Sequence, residues 1–210
     1  MLLTTKDIEW INTQYPELNI DIINNEIEGN ISFKIDYKGY RIADTYQIRI
    51  DLNQLDVIKA PKVFEVSSKI DNIVKKYNIS TDDLHINSDK SFCIFIEGKE
   101  KDIFKNIFTW QEFFHNGIEK FLFQMSYYNK EGKLPWGEYA HGRLGYIELY
   151  AENGISLDKL LKSFEKNEII SLVLKNRQSD CLCGSGIKMR KCHPLIFKGI
   201  SKMKKNQVWI

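Results

Sequence analysis

The chain has 210 residues, of which 43% are hydrophobic and 12% aromatic, and its formal net charge is +2. This length and composition can bury a hydrophobic core in one or two domains, which excludes a disordered or collagen-like protein. No apolar run approaches the roughly 20 residues that a membrane-spanning helix needs. The opening sequence MLLTTKDIEW lacks the basic and apolar regions of a signal peptide, so we expect a cytoplasmic protein.

The positive charge is concentrated at the end of the chain. Residues 1–174 carry 21 Lys/Arg and 27 Asp/Glu, a balance of −6. Residues 175–210 carry nine Lys/Arg and one acid, a balance of +8. Such a change of sign indicates a boundary between modules. It is compatible with a solvated basic tail or with a surface that binds an acidic partner.

Hydrophobic periodicity predicts one helix and then a four-stranded antiparallel meander over the first 66 residues. Ile8, Ile11 and Tyr15 recur at helical spacing before Pro16, which limits the helix. Apolar and polar residues then alternate as in β-strands, with a hairpin turn at Lys38-Gly39. A β region begins at 20–22, and the predicted strands after it are 31–37, 40–42, 46–52 and 61–66, with 40–42 directly after the hairpin turn.

The rest of the chain is mainly helical in pattern. Helices are predicted at 66–77, 103–128, 142–150 and 157–164. Gly117 is a weak point at which the long apolar helix could break. Between the first two of these helices, we predict a loop or extended segment at 82–87, which the apolar residues 91–96 follow. The pattern therefore predicts an α+β fold.

Three of the four cysteines lie near the end of the chain, in the pattern C-x-C-x8-C-H. Cys181, Cys183, Cys192 and His193 supply three thiolates and one imidazole, a donor set that Zn²⁺ binds tetrahedrally. Four protein ligands leave no open coordination position, so the predicted zinc site is structural. The alternatives are a disulfide, which a reducing cytosol disfavours, or thiols that bind no metal.

The same segment resembles the SEC-C motif, which occurs at the C-terminus of the preprotein-translocase ATPase and in many other bacterial proteins. Its pattern C-P-C-G-S-G-x5-C-H matches at all four ligands and at Gly184-Ser185-Gly186, while Leu182 replaces the usual proline. The resemblance covers 13 residues, 181–193. It implies zinc binding and docking onto partner proteins.

The fourth cysteine, Cys93, follows His85-Ile86-Asn87 after a short gap. A cysteine flanked by Phe and Ile fits a buried strand, so one interpretation places it in the core. A helix, four antiparallel strands and a His-x-Asn sequence before a cysteine also form the layout of ubiquitin-conjugating enzymes. The chain resembles that family over roughly residues 5–160, with Ile86 in place of the family proline and a shorter gap to the cysteine.

The resemblance is closer to the bacterial ubiquitin-conjugating-enzyme-like proteins of cyclic-oligonucleotide antiphage (CBASS) operons. Their segment W-P-x-G-E-x-x-H-G-x-x-G is similar to LPWGEYAHGRLG at 134–145. The resemblance implies antiphage defence in which Cys93 carries a partner's C-terminus, that of a cyclic-oligonucleotide synthase, as a thioester. Asn87 would stabilise the oxyanion or be a turn residue, and His85 would hold the loop. His141 would line the cysteine's cleft, or cap or pack locally.

The predicted organisation has three parts. Residues 1–165 form a ubiquitin-conjugating-enzyme-like α+β domain, 175–196 a SEC-C zinc module, and 197–210 a basic tail. The predicted activity is thioester (acyl) transfer.

One rival hypothesis is a non-catalytic zinc-binding adapter in which Cys93 belongs to the core. Another is a nucleic-acid-binding regulator that uses the basic tail with its aromatic end. The tail residues in question are Lys198, Lys202, Lys204, Lys205 and Trp209.

Overall fold

The structure, a computed structural model, describes residues 3–53, 60–95, 109–135, 143–152, 156–162, 179–181 and 187–206. The chain forms two compact units, Met1–Trp136 and Gly137–Ile210. The first is an α+β unit with a four-stranded antiparallel sheet, which confirms the predicted fold class at this level. None of the helices in the described ranges is long and apolar enough to cross a membrane.

The chain begins with helix α1, Thr5–Gln14, whose start is fixed by a capping box. Asp7 N donates to Thr4 Oγ1 at 3.3 Å, and Thr4 N donates to the Asp7 carboxylate at 2.9 Å. These bonds satisfy backbone donors that the first helical turn leaves without a partner. Ile11 is fully buried and Tyr15 stacks on Phe114 with ring centroids 4.6 Å apart. The predicted amphipathic helix is therefore confirmed.

The four strands pair in chain order, each antiparallel to the next, as the meander predicts. Segments 40–42 and 46–52, which the pattern separated, belong to one long strand. Every second residue of the two long strands faces the core, because side chains alternate along a strand. The strands are β1 (Leu18–Asp21), β2 (Glu26–Tyr37), β3 (Tyr40–Asp51) and β4 (Lys62–Glu65).

Gly29 allows strand β1 to lie close to strand β2. It pairs with Leu18 and has a φ of +147°, a conformation that L side chains rarely adopt. A Cβ at this position would lie 2.1 Å from the carbonyl oxygen of Glu17. The start of β1 and the middle of β2 can therefore meet only if residue 29 has no side chain.

One inward position of β3 is polar. Asp44 accepts a hydrogen bond from Ser126 Oγ at 2.6 Å and forms an ion pair with Lys69. Tyr46 completes the cluster, with its hydroxyl 2.9 Å from Ser126 Oγ. Burial alone would raise the pKa of Asp44, but the hydrogen bonds from Lys69, Ser126 and the Thr45 amide outweigh it and lower that pKa. The cluster fastens the sheet to the helices that carry Lys69 and Ser126.

Two helices cover the sheet unit after β4. Helix α2 spans Lys69–Tyr77 and ends at Asn78 in the left-handed conformation. Helix α3 runs through 110–131 and contains a π-helical turn at Phe113–Ile118. Its predicted beginning, 103–108, lies outside the described residues. The predicted weak point, Gly117, lies in the π-helical turn, where an added Cβ would come 3.1 Å from the Ile94 side chain.

The described part of the Gly137–Ile210 unit is helical apart from the cysteine segment. Its helices are α4 (Arg143–Ala151), α5 (Leu157–Lys162), α6 (Met189–Cys192) and α7 (Pro194–Lys205). The first two confirm the helices predicted at 142–150 and 157–164. Helix α7 includes 197–205 of the predicted basic tail, whereas 207–210 lie outside the described residues. Ile196, Ile200 and Met203 are buried on one face of this helix. Their helical spacing was the sequence signal for this face.

Helices α4 and α7 cross at very close range. A Cβ on Gly199 would lie 2.4 Å from the carbonyl oxygen of Ile147 and 2.5 Å from its Cγ2 atom. Lys202 Nζ donates to Tyr150 O at 3.1 Å and lies 4.7 Å from the Tyr150 ring centroid. Helix α4 therefore belongs to the same compact unit as the cysteine segment. The chain divides after Trp136, whereas the sequence-based division placed the boundary at 165.

Candidate functional site

A tight hairpin at 85–93 carries three of the predicted site residues. Cys93 N donates to His85 O at 2.7 Å, and Asn87 N donates to Ser91 O at 2.8 Å. His85 lies in the left-handed region with a φ of +56°, directly after a short 3₁₀ turn. The backbones of His85 and Cys93 are thus paired, and Asn87 lies opposite Ser91 at the next hydrogen-bonded pair toward the turn.

The hairpin packs against the core through Ile86 and Phe92 and pairs with strand β4, since Phe92 N donates to Val63 O at 2.8 Å. Ile86 and Phe92 form a β-bridge, both are buried, and Phe92 stacks on Phe121 with ring centroids 4.4 Å apart. Side chains alternate between the two faces of an antiparallel pair, so Asn87 and Cys93 belong to the opposite face. Accordingly Asn87 is exposed and Cys93 is half-buried, with its Sγ 3.8 Å from the Phe95 carbonyl oxygen.

A polar network around Asp89 holds the turn of this hairpin. Asp89 accepts from Ser91 N at 3.0 Å, from Ser91 Oγ at 2.6 Å and from Lys62 Nζ at 2.8 Å. The hydrogen bonds from Lys62 and then from Ser91 lower the pKa of Asp89 to about 2. Asn87 Nδ2 donates to Ser91 Oγ at 3.0 Å. An amide nitrogen carries two hydrogens, and this bond uses one of them.

We expect Asp89→Asn to loosen the hairpin by about 0.5–1 kcal/mol, the usual range for a half-exposed ion pair. The amide protection factor of Cys93, measured by hydrogen exchange, should fall about two- to fivefold. The reason is that the hydrogen bond from Cys93 N to His85 O forms only while the hairpin is closed. The folded-state pKa of Asp89 is below the ordinary value of 3.8, so the stabilisation by Asp89 is present at pH values well above 3.8 and is lost as pH falls toward about 2.

Asp36→Asn is the matched control, because Asp36 forms an exposed ion pair with Arg41 at 3.6 Å on a different hairpin. It should leave the protection of Cys93 unchanged. Equal protection of Cys93 in wild type and Asp89→Asn would show that the Asp89 network does not hold the hairpin.

The second candidate site is a group of metal-ligating side chains in the Gly137–Ile210 unit. The donor atoms of Cys181, Cys192 and His193 all lie within 4.8 Å of one another. Donor atoms around a tetrahedral Zn²⁺ with Zn–S bonds of about 2.3 Å are about 3.8 Å apart, so this group fits the ion with a small contraction. Cys181 and Cys192 are not joined by a disulfide. The structure therefore agrees with the metal-binding alternative of the sequence prediction.

A short hairpin and a short helix bring these donors together. Cys181 N donates to Ile187 O at 2.8 Å, which pairs the two ends of the cysteine loop. Helix α6 then turns the chain back, and His193 N donates to Met189 O at 2.8 Å at its end. Cys181 is buried, whereas Cys192 and His193 are half-buried. The consecutive residues Cys192 and His193 thus face Cys181 across the cysteine loop.

Glu148 is a residue of this site that the sequence analysis missed. It lies on α4 and is 1% exposed. Its Oε1 atom is 3.4 Å from Nδ1 of His193. The only sequence signal was one acid within the apolar helix LGYIELYA, and nothing in the spacing related it to the cysteine segment.

Two predicted site residues, His141 and Cys183, lie outside the described residues, as does most of the segment 134–145. Their roles stay predictions. Sequence reasoning also missed Lys62, Asp89 and Ser91, since a lysine on β4 and an acid in a turn carry no pattern that predicts their pairing.

Comparisons with protein-family models, with curated proteins and with solved structures returned no match. The functional argument therefore depends on the two groups of side chains described above. One is a half-buried cysteine on a hairpin with His85 and Asn87. The other is a cysteine and histidine group that could hold a metal ion.

Proposed function

We propose that the chain is a ubiquitin-conjugating-enzyme-like protein that carries an acyl group as a thioester on Cys93. The observation that supports this most is the hairpin at 85–93. It carries a half-buried cysteine whose backbone is paired to that of His85, with Asn87 on the same face of the hairpin. The order of helix, four-stranded meander and His-x-Asn hairpin also agrees with the layout of that family.

The chemistry would use two acyl transfers. The Cys93 thiolate attacks the carbonyl carbon of an activated carboxyl group, an acyl adenylate or an acyl thioester, and the leaving group departs with its electron pair. An amine or thiol then attacks the new thioester, and negative charge develops on the carbonyl oxygen before the Cys93 thiolate leaves. An Asn87 N–H directed at that oxygen would stabilise it, and one such donor is typically worth about 10²–10³ in rate.

The proposed acyl donor is the C-terminus of a partner protein. On the resemblance to the CBASS proteins, we take that partner to be a cyclic-oligonucleotide synthase and the setting to be antiphage defence in the cytoplasm. A neighbouring gene for a nucleotidyltransferase would support this assignment.

We further propose that Cys181, Cys183, Cys192 and His193 bind one Zn²⁺ at a structural site. The three described donors support this by their mutual distances, and Cys183 is the fourth by its place in the sequence motif. When bound, the ion would cross-link the cysteine loop, with no part in acyl transfer. The site would carry a net charge of −1, which the exposed Lys188, Arg190 and Lys191 offset. If Cys93 carries no acyl group, this site favours the function of a zinc-binding adapter.

Co-expression with the candidate synthase and its activating protein should yield a covalent adduct on Cys93. Hydroxylamine or an excess of a small thiol such as dithiothreitol should release it, because both are nucleophiles that displace the Cys93 thiolate from a thioester. Cys93→Ala should abolish the adduct, and Cys93→Ser should abolish it or convert it into a hydroxylamine-resistant ester. Mass spectrometry of the intact protein measures each result.

The matched cysteine control is Cys192→Ser, which should lose zinc and retain the adduct. Asn87→Ala should slow transfer off the cysteine by about 10²–10³ without unfolding the protein. Its control is Asn72→Ala, which removes an exposed amide from helix α2. An adduct that persists in Cys93→Ala, or a chain that accepts no acyl group from the activated synthase, would contradict the proposal.

A further inference from the structure

We propose that Glu148 is a positioning residue that holds the His193 imidazole in the orientation needed for metal binding. This inference depends on the proposed zinc site, and it extends that site to a helix outside the cysteine motif. Its basis is the distance of 3.4 Å between Glu148 Oε1 and His193 Nδ1, together with the burial of both groups.

The burial of Glu148 requires a specific role for its carboxylate. Removing a carboxylate from water costs several kcal/mol unless a charged or hydrogen-bonding partner compensates for it. The side chain of Glu148 is 2% exposed and that of His193 is 12% exposed. An imidazole nitrogen that carries a hydrogen is a suitable partner. Nδ1 of His193 lies 3.4 Å from the Glu148 carboxylate, at ion-pair distance but outside hydrogen-bond geometry.

The orientation of the ring follows from this contact. Imidazole has two nitrogens, and in its neutral form one carries hydrogen while the other is free to bind a metal. A carboxylate beside Nδ1 favours the form with hydrogen on Nδ1, which leaves Nε2 as the metal-binding nitrogen. Histidines that bind metals usually donate their second nitrogen to a carboxylate or carbonyl group in this way, which fixes the ring and increases its basicity.

The close packing of helices α4 and α7 holds Glu148 and His193 at this distance. Glu148 lies beside Ile147, the residue at which α4 and α7 cross with no room for a side chain at Gly199. Asn206 Nδ2 also donates to the Tyr150 hydroxyl at 2.6 Å. Helix α7 begins directly after His193, so docking of α4 against α7 fixes the separation of Glu148 and His193 as well.

The test is the Zn²⁺ affinity of the full-length Glu148→Gln variant, measured by competition with a chromophoric chelator. Glutamine has nearly the same shape but lacks the charge, so we expect binding of one Zn²⁺ with affinity about 10- to 100-fold weaker than wild type. Glu148→Asp, which retains the carboxylate, should recover part of the loss. Glu152→Gln, a charge removal at an exposed position one turn later, should bind zinc like wild type.

Two further measurements separate positioning from a purely structural role. In the Co²⁺-substituted Glu148→Gln variant the ligand-field bands should shift, while the thiolate-to-cobalt charge-transfer bands retain their intensity. The unfolding temperature of the metal-free variant should equal or exceed that of the metal-free wild type, because a neutral amide is easier to bury than a carboxylate.

Unchanged zinc affinity in Glu148→Gln would overturn the inference. So would a loss of affinity accompanied by an equal loss of stability in the metal-free protein, because that pattern indicates a role in packing alone. A wild-type chain that binds no zinc would instead overturn the metal site itself, and this inference with it.

Discussion

Removal of the metal should disorder the cysteine segment of the Gly137–Ile210 unit and leave the fold of the Met1–Trp136 unit intact. Among the described residues of 179–193, Cys181 and Met189 are the buried hydrophobic ones. With so little apolar burial in these residues, we expect metal binding to supply most of the free energy that orders them. Structural Zn²⁺ sites in small peptides contribute about 10–16 kcal/mol at pH 7. The Met1–Trp136 unit has its own core of buried side chains on the sheet and on helices α1 to α3.

Hydrogen exchange with and without a strong chelator measures this effect for each unit separately. Amides at Cys181, Met189 and His193 should lose their protection, whereas those of β2 and β3 should retain it. Elemental analysis should find one zinc per wild-type chain and none in the double variant Cys181→Ser/Cys183→Ser. Cys93→Ser is the control and should keep the metal. Equal zinc in wild type and the double variant would refute the assignment of the ligands.

Gly29→Ala should destabilise the Met1–Trp136 unit by about 2–6 kcal/mol. The left-handed φ of +147° imposes backbone strain of about 1–3 kcal/mol on any L side chain. The new Cβ would also meet the Glu17 carbonyl oxygen at 2.1 Å, and relief of such overlap costs about 1–3 kcal/mol more. The free energy of unfolding in urea, followed by tryptophan fluorescence, measures the sum.

Gly39 separates the two contributions. It lies in the turn between β2 and β3 with a φ of +84°, and an added Cβ would meet nothing within 4 Å. Gly39→Ala should therefore carry only the strain, about 1–2 kcal/mol. If the two alanine variants were equally stable, the close approach of β1 and β2 at Gly29 would not exist in solution.

The strands could be predicted because one face of the sheet is buried and the other is not. Apolar and polar residues therefore alternate along 31–37 and 46–52, and this pattern can be read from the sequence alone. Asp44 breaks the alternation at an inward position, and the sequence contains no sign that Lys69 and Ser126 compensate for it. The π-helical turn around Gly117 was visible only as a weak point in the helix, and the sequence contains no sign that the Ile94 side chain packs close to this glycine.

The two candidate sites were predictable to different degrees. Metal ligands close in sequence are constrained by their spacing. The sequence motif alone therefore predicted Cys181, Cys192 and His193 as ligands. Glu148 acts across a helix crossing, and no spacing rule relates it to the loop. Likewise the pairing of His85 with Cys93 depends on a hairpin whose turn is held by Lys62 from strand β4.

The crossing of α4 and α7 limits how the cysteine motif can be transferred between proteins. A segment of 13 residues that contains all four ligands suggests an independent module that a linker could join to any chain. Here the helix that follows the last ligand presents Gly199 and its buried apolar face to α4. A graft that began at residue 175 would leave that face in water, so recombination would have to move the segment together with α4.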